Sequence, residues 1–211
     1  MNKKLLLFWS GGLDSTFLLY HLLSTTEYII DTCYVEIENN DFKTKRELLA
    51  RERIKYIFKN NMRSFNDLGT ISKIFVSNVN CVSSFHQIPT FIYTSVMCAN
   101  DYDEIALSYV MNDDAISYLD EIKQVFNSFK LIGYKGDNLF PTIIFPLSKW
   151  KKYDISLNMS SYQNYREVFD AITWCESTTD NCGVCAPCKR MIDDLYFKHR
   201  FTSKQITETI S

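Results

Sequence analysis

The feature that most restricts the fold of this chain lies at its start. An apolar run, Leu5-Leu6-Leu7-Phe8-Trp9, breaks into Ser10-Gly11-Gly12-Leu13-Asp14-Ser15-Thr16 and resumes as Phe17-Leu18-Leu19-Tyr20-His21-Leu22-Leu23. The first run is short and free of polar residues, the pattern of a strand buried on both faces. The second reads as a helix. A strand that passes through a glycine-bearing loop into a helix brings backbone N–H groups together at the helix start, where they converge on an anion. The paired glycines let the main chain approach a phosphate, and Ser10, Ser15 and Thr16 offer hydroxyl donors. Asp14 is the odd member, because a carboxylate beside phosphates is repulsive unless a metal ion or backbone amides offset it. The loop has neither the Gly-Lys-Ser/Thr ending of a Walker loop nor the spacing of a dinucleotide fingerprint.

The rest of the chain alternates in the same way. Further strands are expected at 28–37, at Lys73-Ile74-Phe75-Val76, at 104–109 and at 143–145. Between them, the spacing predicts a helix over 43–60, and an amphipathic helix over 115–129 with Ile116, Leu119, Ile122, Val125, Phe126 and Phe129 on one face. Helix and strand compete over 88–99, and the alternation selects a helix. Ser148 is the expected cap of a helix carrying Trp150, Tyr153, Ile155 and Leu157. This order implies an α/β fold: a doubly wound, mostly parallel sheet with helices on both faces. Ligands bind such sheets beyond the carboxyl ends of the strands. The first loop, the residues after Tyr109 and those after Phe145 therefore meet at one crevice. The only compositional break falls near residue 174, which divides the chain into an α/β domain over 1–173 and a cysteine-rich module with a C-terminal helix over 174–211.

No apolar run approaches the ~20 residues of a membrane span. The opening Met1-Asn2-Lys3-Lys4-Leu5 leads into too short an apolar stretch for a signal peptide, so a cytoplasmic protein without membrane contact is expected. A net charge of −2 argues against a large electrostatic footprint for nucleic acid. Lys43, Lys45, Arg46, Arg51 and Arg53 read as the solvated face of a helix. Of the seven cysteines, Cys33 and Cys98 read as small core residues. Cys175-x6-Cys182-Gly-x-Cys185-x2-Cys188 is different, because four thiolates at this spacing suit a closed tetrahedral zinc site with a structural role. Free or redox-active thiols and an iron–sulfur cluster are the alternatives.

The heptad Ser10–Thr16 resembles the pyrophosphate-binding loop of the N-type ATP pyrophosphatases, the PP-loop superfamily with its HUP-like α/β fold. Together with the C-terminal Cys-Gly-x-Cys-x2-Cys cluster, it makes the chain resemble the 7-cyano-7-deazaguanine synthase (QueC) family over nearly its full length. Asp114-x3-Tyr118-x-Asp120 and Pro146-Leu147-x4-Lys152-x-Asp154 match two further motifs of that family, the second with Asp for Glu. The resemblance implies an ATP-dependent C–N ligase. ATP adenylates 7-carboxy-7-deazaguanine, ammonia displaces AMP to give an amide, and a second ATP drives loss of the amide oxygen to the nitrile. It further implies that Ser10, Gly11, Gly12, Asp14, Ser15 and Thr16 hold ATP, with Ser10, Asp14, Ser15 and Lys152 as catalytic residues. Asp14 would bind Mg2+, Asp114, Tyr118 and Asp120 would line the base pocket, and Cys175, Cys182, Cys185 and Cys188 would hold Zn2+. A homodimer is also implied.

Three departures from the family pattern fall on the acceptor side. Its Tyr-Gly-Gln-Arg-His is replaced by Val35-Glu36-Ile37-Glu38-Asn39-Asn40, and its Pro-Gly-Arg-Asn by Pro89-Thr90-Phe91-Ile92. The Arg expected three residues after the last cysteine is Met191, with Arg190 one position early. The departures motivate an alternative: a defence-associated, QueC-like enzyme that stops at the amide stage and joins the deazaguanine to a protein amine. A PP-loop tRNA-modifying enzyme is the remoter alternative.

Overall fold

β1 (Lys4–Phe8) is the middle strand of a five-stranded sheet, and its alternating side chains found two cores. The computed structural model describes residues 2–36, 41–71, 87–111, 113–132, 140–177, 181–194 and 196–200. Leu5, Leu7 and Trp9 face a cluster built with α1 (Leu13–Thr25), α2 (Asp41–Asn61), α5 (Lys152–Met159), α6 (Tyr165–Ala171) and α7 (Ala186–Ile192). Leu6 and Phe8 face a second cluster, built with α3 (Gln87–Met97) and α4 (Leu119–Ile132). Cys175, Cys188, Met191 and Ile192 pack in the first cluster beside residues of α1.

The other strands are β2 (Ile29–Val35), β3 (Asn66–Ile71), β4 (Glu104–Ala106) and β5 (Thr142–Ile144). Their order is β3-β2-β1-β4-β5, and each of the four pairings is parallel. The chain moves outward from β1 to β3, then returns to place β4 on the other side of β1. Loops leaving β1 and β4 therefore part toward opposite faces and open a crevice between them. The α/β reading of the sequence holds, as does the helix over 88–99.

Several local expectations change. β3 was not legible: Asn66-Asp67-Leu68-Gly69 is poor strand sequence, and it pairs as an edge strand through a register shift opposite Thr32 and Tyr34. The strand expected at Lys73–Val76 lies outside the described residues. Ser148 does not cap a helix. It sits in a turn, donating its N–H to the Phe145 carbonyl at 3.2 Å. α5 starts instead at Lys152, where the Asp154 carboxylate accepts from the Lys151 N–H at 3.2 Å. Among the described residues no helix is long and apolar enough to cross a membrane.

The basic face assigned to α2 also divides. Lys45 and Arg53 are exposed, but Arg51 is only 2% exposed. Its guanidinium donates to the Trp9 carbonyl at 3.0 Å and pairs with Asp67, lying between the rings of Trp9 and Tyr34. Asp67 also accepts from Lys55, the Thr32 hydroxyl and the Gly69 N–H. Burial raises the Asp67 carboxyl, but these donors outweigh it and hold the group below its ordinary value of 3.8. Its stabilising contribution is therefore fully present above that value and is lost as pH falls from there through the depressed folded value. Asp67→Asn leaves a buried guanidinium without its counter-charge and is expected to cost about 3 kcal/mol at neutral pH. Urea unfolding across pH 3–7 checks both parts: the variant should be less stable and should show a shallower acid decline.

Candidate active site

Loop 9–12 is held by its packing on α2. Gly11 has φ +79°, and a Cβ there would lie 3.0 Å from the Glu47 carbonyl oxygen and 3.2 Å from the Ala50 Cβ. A Cβ on Gly12 would meet the Ser10 hydroxyl at 3.3 Å. Contact with α2 therefore demands a glycine at position 11, a requirement separate from any approach to phosphate. Opposite α2, the Gly11 carbonyl accepts from the Thr173 N–H at 3.3 Å.

The two serines lie together, with the Ser10 and Ser15 hydroxyls 3.2 Å apart. Gly12 N–H points to Ser10 Oγ at 3.3 Å. N–H groups in the first turn of a helix have no intrahelical partner, and Gly12, Leu13 and Asp14 line a cavity of about 160 Å³ at this end. Thr16 is a correction to the sequence reading. Its hydroxyl is fully buried and accepts the Trp9 indole N–H at 3.1 Å, so it anchors the loop from beneath and is not offered to a ligand.

The small cavity adjoins a larger one of about 450 Å³ at the carboxyl ends of β1, β2 and β4. Asp14, Lys43, Glu47, Lys152, Glu176 and Arg190 line both. Lys152 Nζ donates to Asp14 Oδ2 at 2.8 Å, and Lys43 Nζ stands 3.8 Å from Glu176 Oε1. Burial pushes the Asp14 carboxyl up, against the opposing pull of Lys152; Asp113 adds to the rise and Arg190 resists it. Lys152 thus supplies the offset that a carboxylate in this loop requires. The second Asp14 oxygen is buried and has no hydrogen-bond partner among the described residues.

The larger cavity is aromatic toward the sheet. Phe8 and Phe91 meet edge to face at 5.8 Å, and Tyr109 packs on Phe145 at 6.1 Å. Phe91 belongs to the Pro89–Ile92 segment. Asp114 reaches this cavity, but Tyr118 and Asp120 do not. The chain turns there through a short 3₁₀ segment, Asp114–Tyr118, which buries Ala115 and leaves Tyr118 54% exposed; Asp120 is exposed at the start of α4. Asp113 stands at the N-cap of this segment, but its carboxylate accepts the Val110 N–H at 2.9 Å and makes no side-chain cap bond.

Sequence reasoning missed four residues of the site, of which Lys43 was read as part of a solvated helix face. Glu47 was hidden within a helix read as solvated. Tyr34 was counted only as a strand residue, although its hydroxyl donates to Glu47 Oε2 at 2.6 Å. Glu176 follows the first cysteine. Arg190 was seen, and the structure puts it on the wall of both cavities, while Met191 is buried in the core and borders only the smaller one.

The sulfurs of Cys175, Cys182, Cys185 and Cys188 all lie within 4.8 Å of one another. Cys175 Sγ accepts from the N–H groups of Ser177 at 3.4 Å and Cys182 at 3.5 Å, and Cys182 Sγ accepts from Cys185 N–H at 3.4 Å. Burial would raise the Cys182 thiol, but its backbone donors outweigh this and lower it to about 6. A tetrahedral ion with sulfurs at ~2.3 Å holds them ~3.8 Å apart, which this cluster approaches. A four-iron cluster spreads its thiolates around a larger body. The donor set therefore fits one metal ion with no open position. Arg46 donates to the Cys175 carbonyl at 3.5 Å and ties this segment to α2.

No protein-family model matches the chain. No curated protein sequence matches it either. Among solved structures, the chain is similar to the U34-tRNA thiolase NcsA from Methanococcus maripaludis, determined with its [4Fe-4S] cluster. The TM-score is 0.51 at 12% identity, over 99% of this chain and 72% of that one. It also matches a predicted subunit of tRNA methyltransferase from Methanocaldococcus jannaschii, with a TM-score of 0.44 at 13% identity, over 75% of this chain and 74% of that one. At this identity the first likeness shows the α/β fold alone.

If the four thiolates hold a single ion, cobalt substitution should give intense thiolate-to-metal absorption at one ion per chain. Cys188→Ser, at a fully buried position, should abolish that band and cost more than about 3 kcal/mol in urea unfolding. Brown, iron-containing protein with acid-labile sulfide would contradict the single-ion assignment.

Proposed function

We propose that this chain is an ATP-dependent ligase of the 7-cyano-7-deazaguanine synthase type. In this reading it adenylates the carboxylate of 7-carboxy-7-deazaguanine, or a close analogue, and passes the acyl group to nitrogen. The observation that carries the reading is the charged chamber at the start of α1. Free helix N–H groups, the Ser10 and Ser15 hydroxyls, Lys43, Lys152 and Arg190 surround a space next to a cavity within the ~300–1,000 Å³ range of small-molecule sites. The sequence motifs supply the substrate class, and the aromatic wall of Phe8, Phe91 and Tyr109 suits a planar heterocycle.

A carboxylate is a poor electrophile, and adenylation supplies a leaving group. The substrate oxygen attacks the α-phosphorus while the bond to the β-phosphate oxygen breaks. Lys152 and Arg190 hold the departing pyrophosphate where its charge develops, Lys152 turning from Asp14 to the phosphate. Mg2+, held through Asp14, would neutralise charge on the phosphates. Asp114 accepts from the heterocycle's N–H groups; Tyr118 and Asp120, outside the cavity, have no part. Nitrogen then attacks the carbonyl carbon and AMP leaves. The ion we assign to the four cysteines is Zn2+, in a structural role. We assign the chain an α/β unit over 1–173, a metal module over 174–211 and a homodimeric state.

Ammonia as acceptor leads through the amide to the nitrile. A protein amine as acceptor stops at the amide, and the altered Pro89–Ile92 segment favours that version. A tRNA-modifying enzyme would use the same loop on a different substrate.

Pyrophosphate exchange tests the reading. The chain should incorporate labelled pyrophosphate into ATP only when 7-carboxy-7-deazaguanine is present, and Lys152→Met should reduce the rate by about 10²-fold or more. Exchange stimulated by tRNA, with salt-sensitive tRNA binding, would instead favour the remoter alternative. Mass spectrometry with and without ammonia separates nitrile from protein conjugate.

A further inference from the structure

The proposed reaction leaves one step without an agent. The attacking nitrogen must shed a proton as it bonds to the acyl carbon. The carboxylates lining the smaller chamber are Asp14, Glu47 and Glu176. Asp14 is paired with Lys152 and Glu176 with Lys43. Glu47 is held differently, by a neutral donor: the Tyr34 hydroxyl, at 2.6 Å from Oε2. The grip on Oε2 orients the group, and Oε1 takes no part in that bond. Glu47 also stands beside the loop, since its own carbonyl oxygen is the atom a Gly11 side chain would strike.

A carboxylate in a chamber built for phosphates works against anion binding unless it has another task. Taking a proton from a nitrogen nucleophile is such a task. We propose that Glu47 is the general base of the transfer half-reaction, with Tyr34 as its positioning residue. This inference rests on the ligase reading. As the C–N bond forms, an N–H proton passes to Glu47 Oε1. The C–O bond to AMP breaks, with its electron pair staying on the phosphate oxygen, and Glu47 then returns the proton to solvent. The balance is amine plus acyl adenylate giving amide, AMP and one proton.

The surroundings favour the role. Burial raises the Glu47 carboxyl above its ordinary value, which strengthens it as a base. The groups that face it are Lys43 and Arg51 from α2, Tyr34 from β2 and Glu176 from the cysteine segment. The cations and the phenol pull it down, and Glu176 pushes it up.

Glu47→Gln keeps the size and an oxygen for Tyr34, so it separates base from scaffold. Acid-dependent pyrophosphate exchange should remain within about threefold, while amide formation from ammonia should fall by about 10²–10³-fold. Hydroxylamine, which attacks with less need of a base, should recover much of the rate. At constant free-base nitrogen concentration, the transfer rate should rise with pH along an acid limb. Tyr34→Phe removes a bond that favours the charged form, so it should move that limb to higher pH; Glu47→Gln should abolish it. Equal loss of exchange and transfer in Glu47→Gln would place Glu47 in the grip on ATP and overturn the assignment, as would transfer at the parent rate. Absence of acid-dependent exchange in the unsubstituted chain overturns the ligase reading, and the base with it.

Discussion

The crevice depends on one buried cation. Arg51 reaches from α2 to the Trp9 carbonyl at 3.0 Å, where the chain leaves β1, and to Asp67 on β3. A guanidinium has several donors in a fixed plane, so a single side chain joins a helix, the exit of the central strand and an edge strand at set angles. Such a group is costly to bury, and the cost is offset only because each neighbour contributes: a carboxylate, a carbonyl and two aromatic faces. The same helix meets the loop at Gly11 and presents Lys43 and Glu47 to the ligand space. α2 is thus both the support under the loop and one wall of the chamber above it.

The parts of this arrangement differ in how far they can be read from residues alone. β1 and α1 were plain because an unbroken apolar run, a turn and a second apolar run have few other outcomes. The cysteine cluster was plain because ligand spacing is local. β3 was hidden: Asn66, Asp67 and Gly69 are turn formers, and their pairing with β2 is accompanied by the Arg51–Asp67 contact across sixteen positions, which periodicity does not reveal. The helix periodicity of α2 could not tell Arg51 from Arg53, since which charge turns inward is decided by partners remote in sequence. Tyr118 and Asp120 illustrate the opposite error. Their spacing fits a motif, but the 3₁₀ segment that ends at Tyr118 sets which residues face the cavity, and it selects Asp114 and Ala115.

The charges of the chamber form a balanced set: three cations, Lys43, Lys152 and Arg190, against Asp14, Glu47 and Glu176. A near-neutral chamber does not repel a polyanion, yet its cations are already occupied in part. Lys152 is held by Asp14 and Lys43 stands near Glu176. An arriving phosphate must compete with these carboxylates, which makes entry selective for ligands that bring positive charge with them, as a metal–nucleotide complex does. Among the described residues Arg190 forms no ion pair, although Asp14 lies within its electrostatic reach.

Arg190 also shows why the cysteine segment belongs with the loop in physical terms. α7 begins directly after Cys185 and ends at Ile192, so the sulfurs at 185 and 188 determine where Arg190, the one of its two exposed cations that lines the cavity, lies. From the other side, Glu176 follows Cys175 and turns toward Lys43, while the Cys175 carbonyl accepts from Arg46. The four-sulfur cluster therefore controls two of the six charged groups in the chamber through backbone connections of one or two residues. A short, loop-rich segment cannot hold side chains in place through burial alone, and crosslinking by a metal ion is the economical way to fix them. In the proposed reading, rigid placement of Arg190 and Glu176 gives a physical reason for a closed, structural metal centre beside the phosphate site.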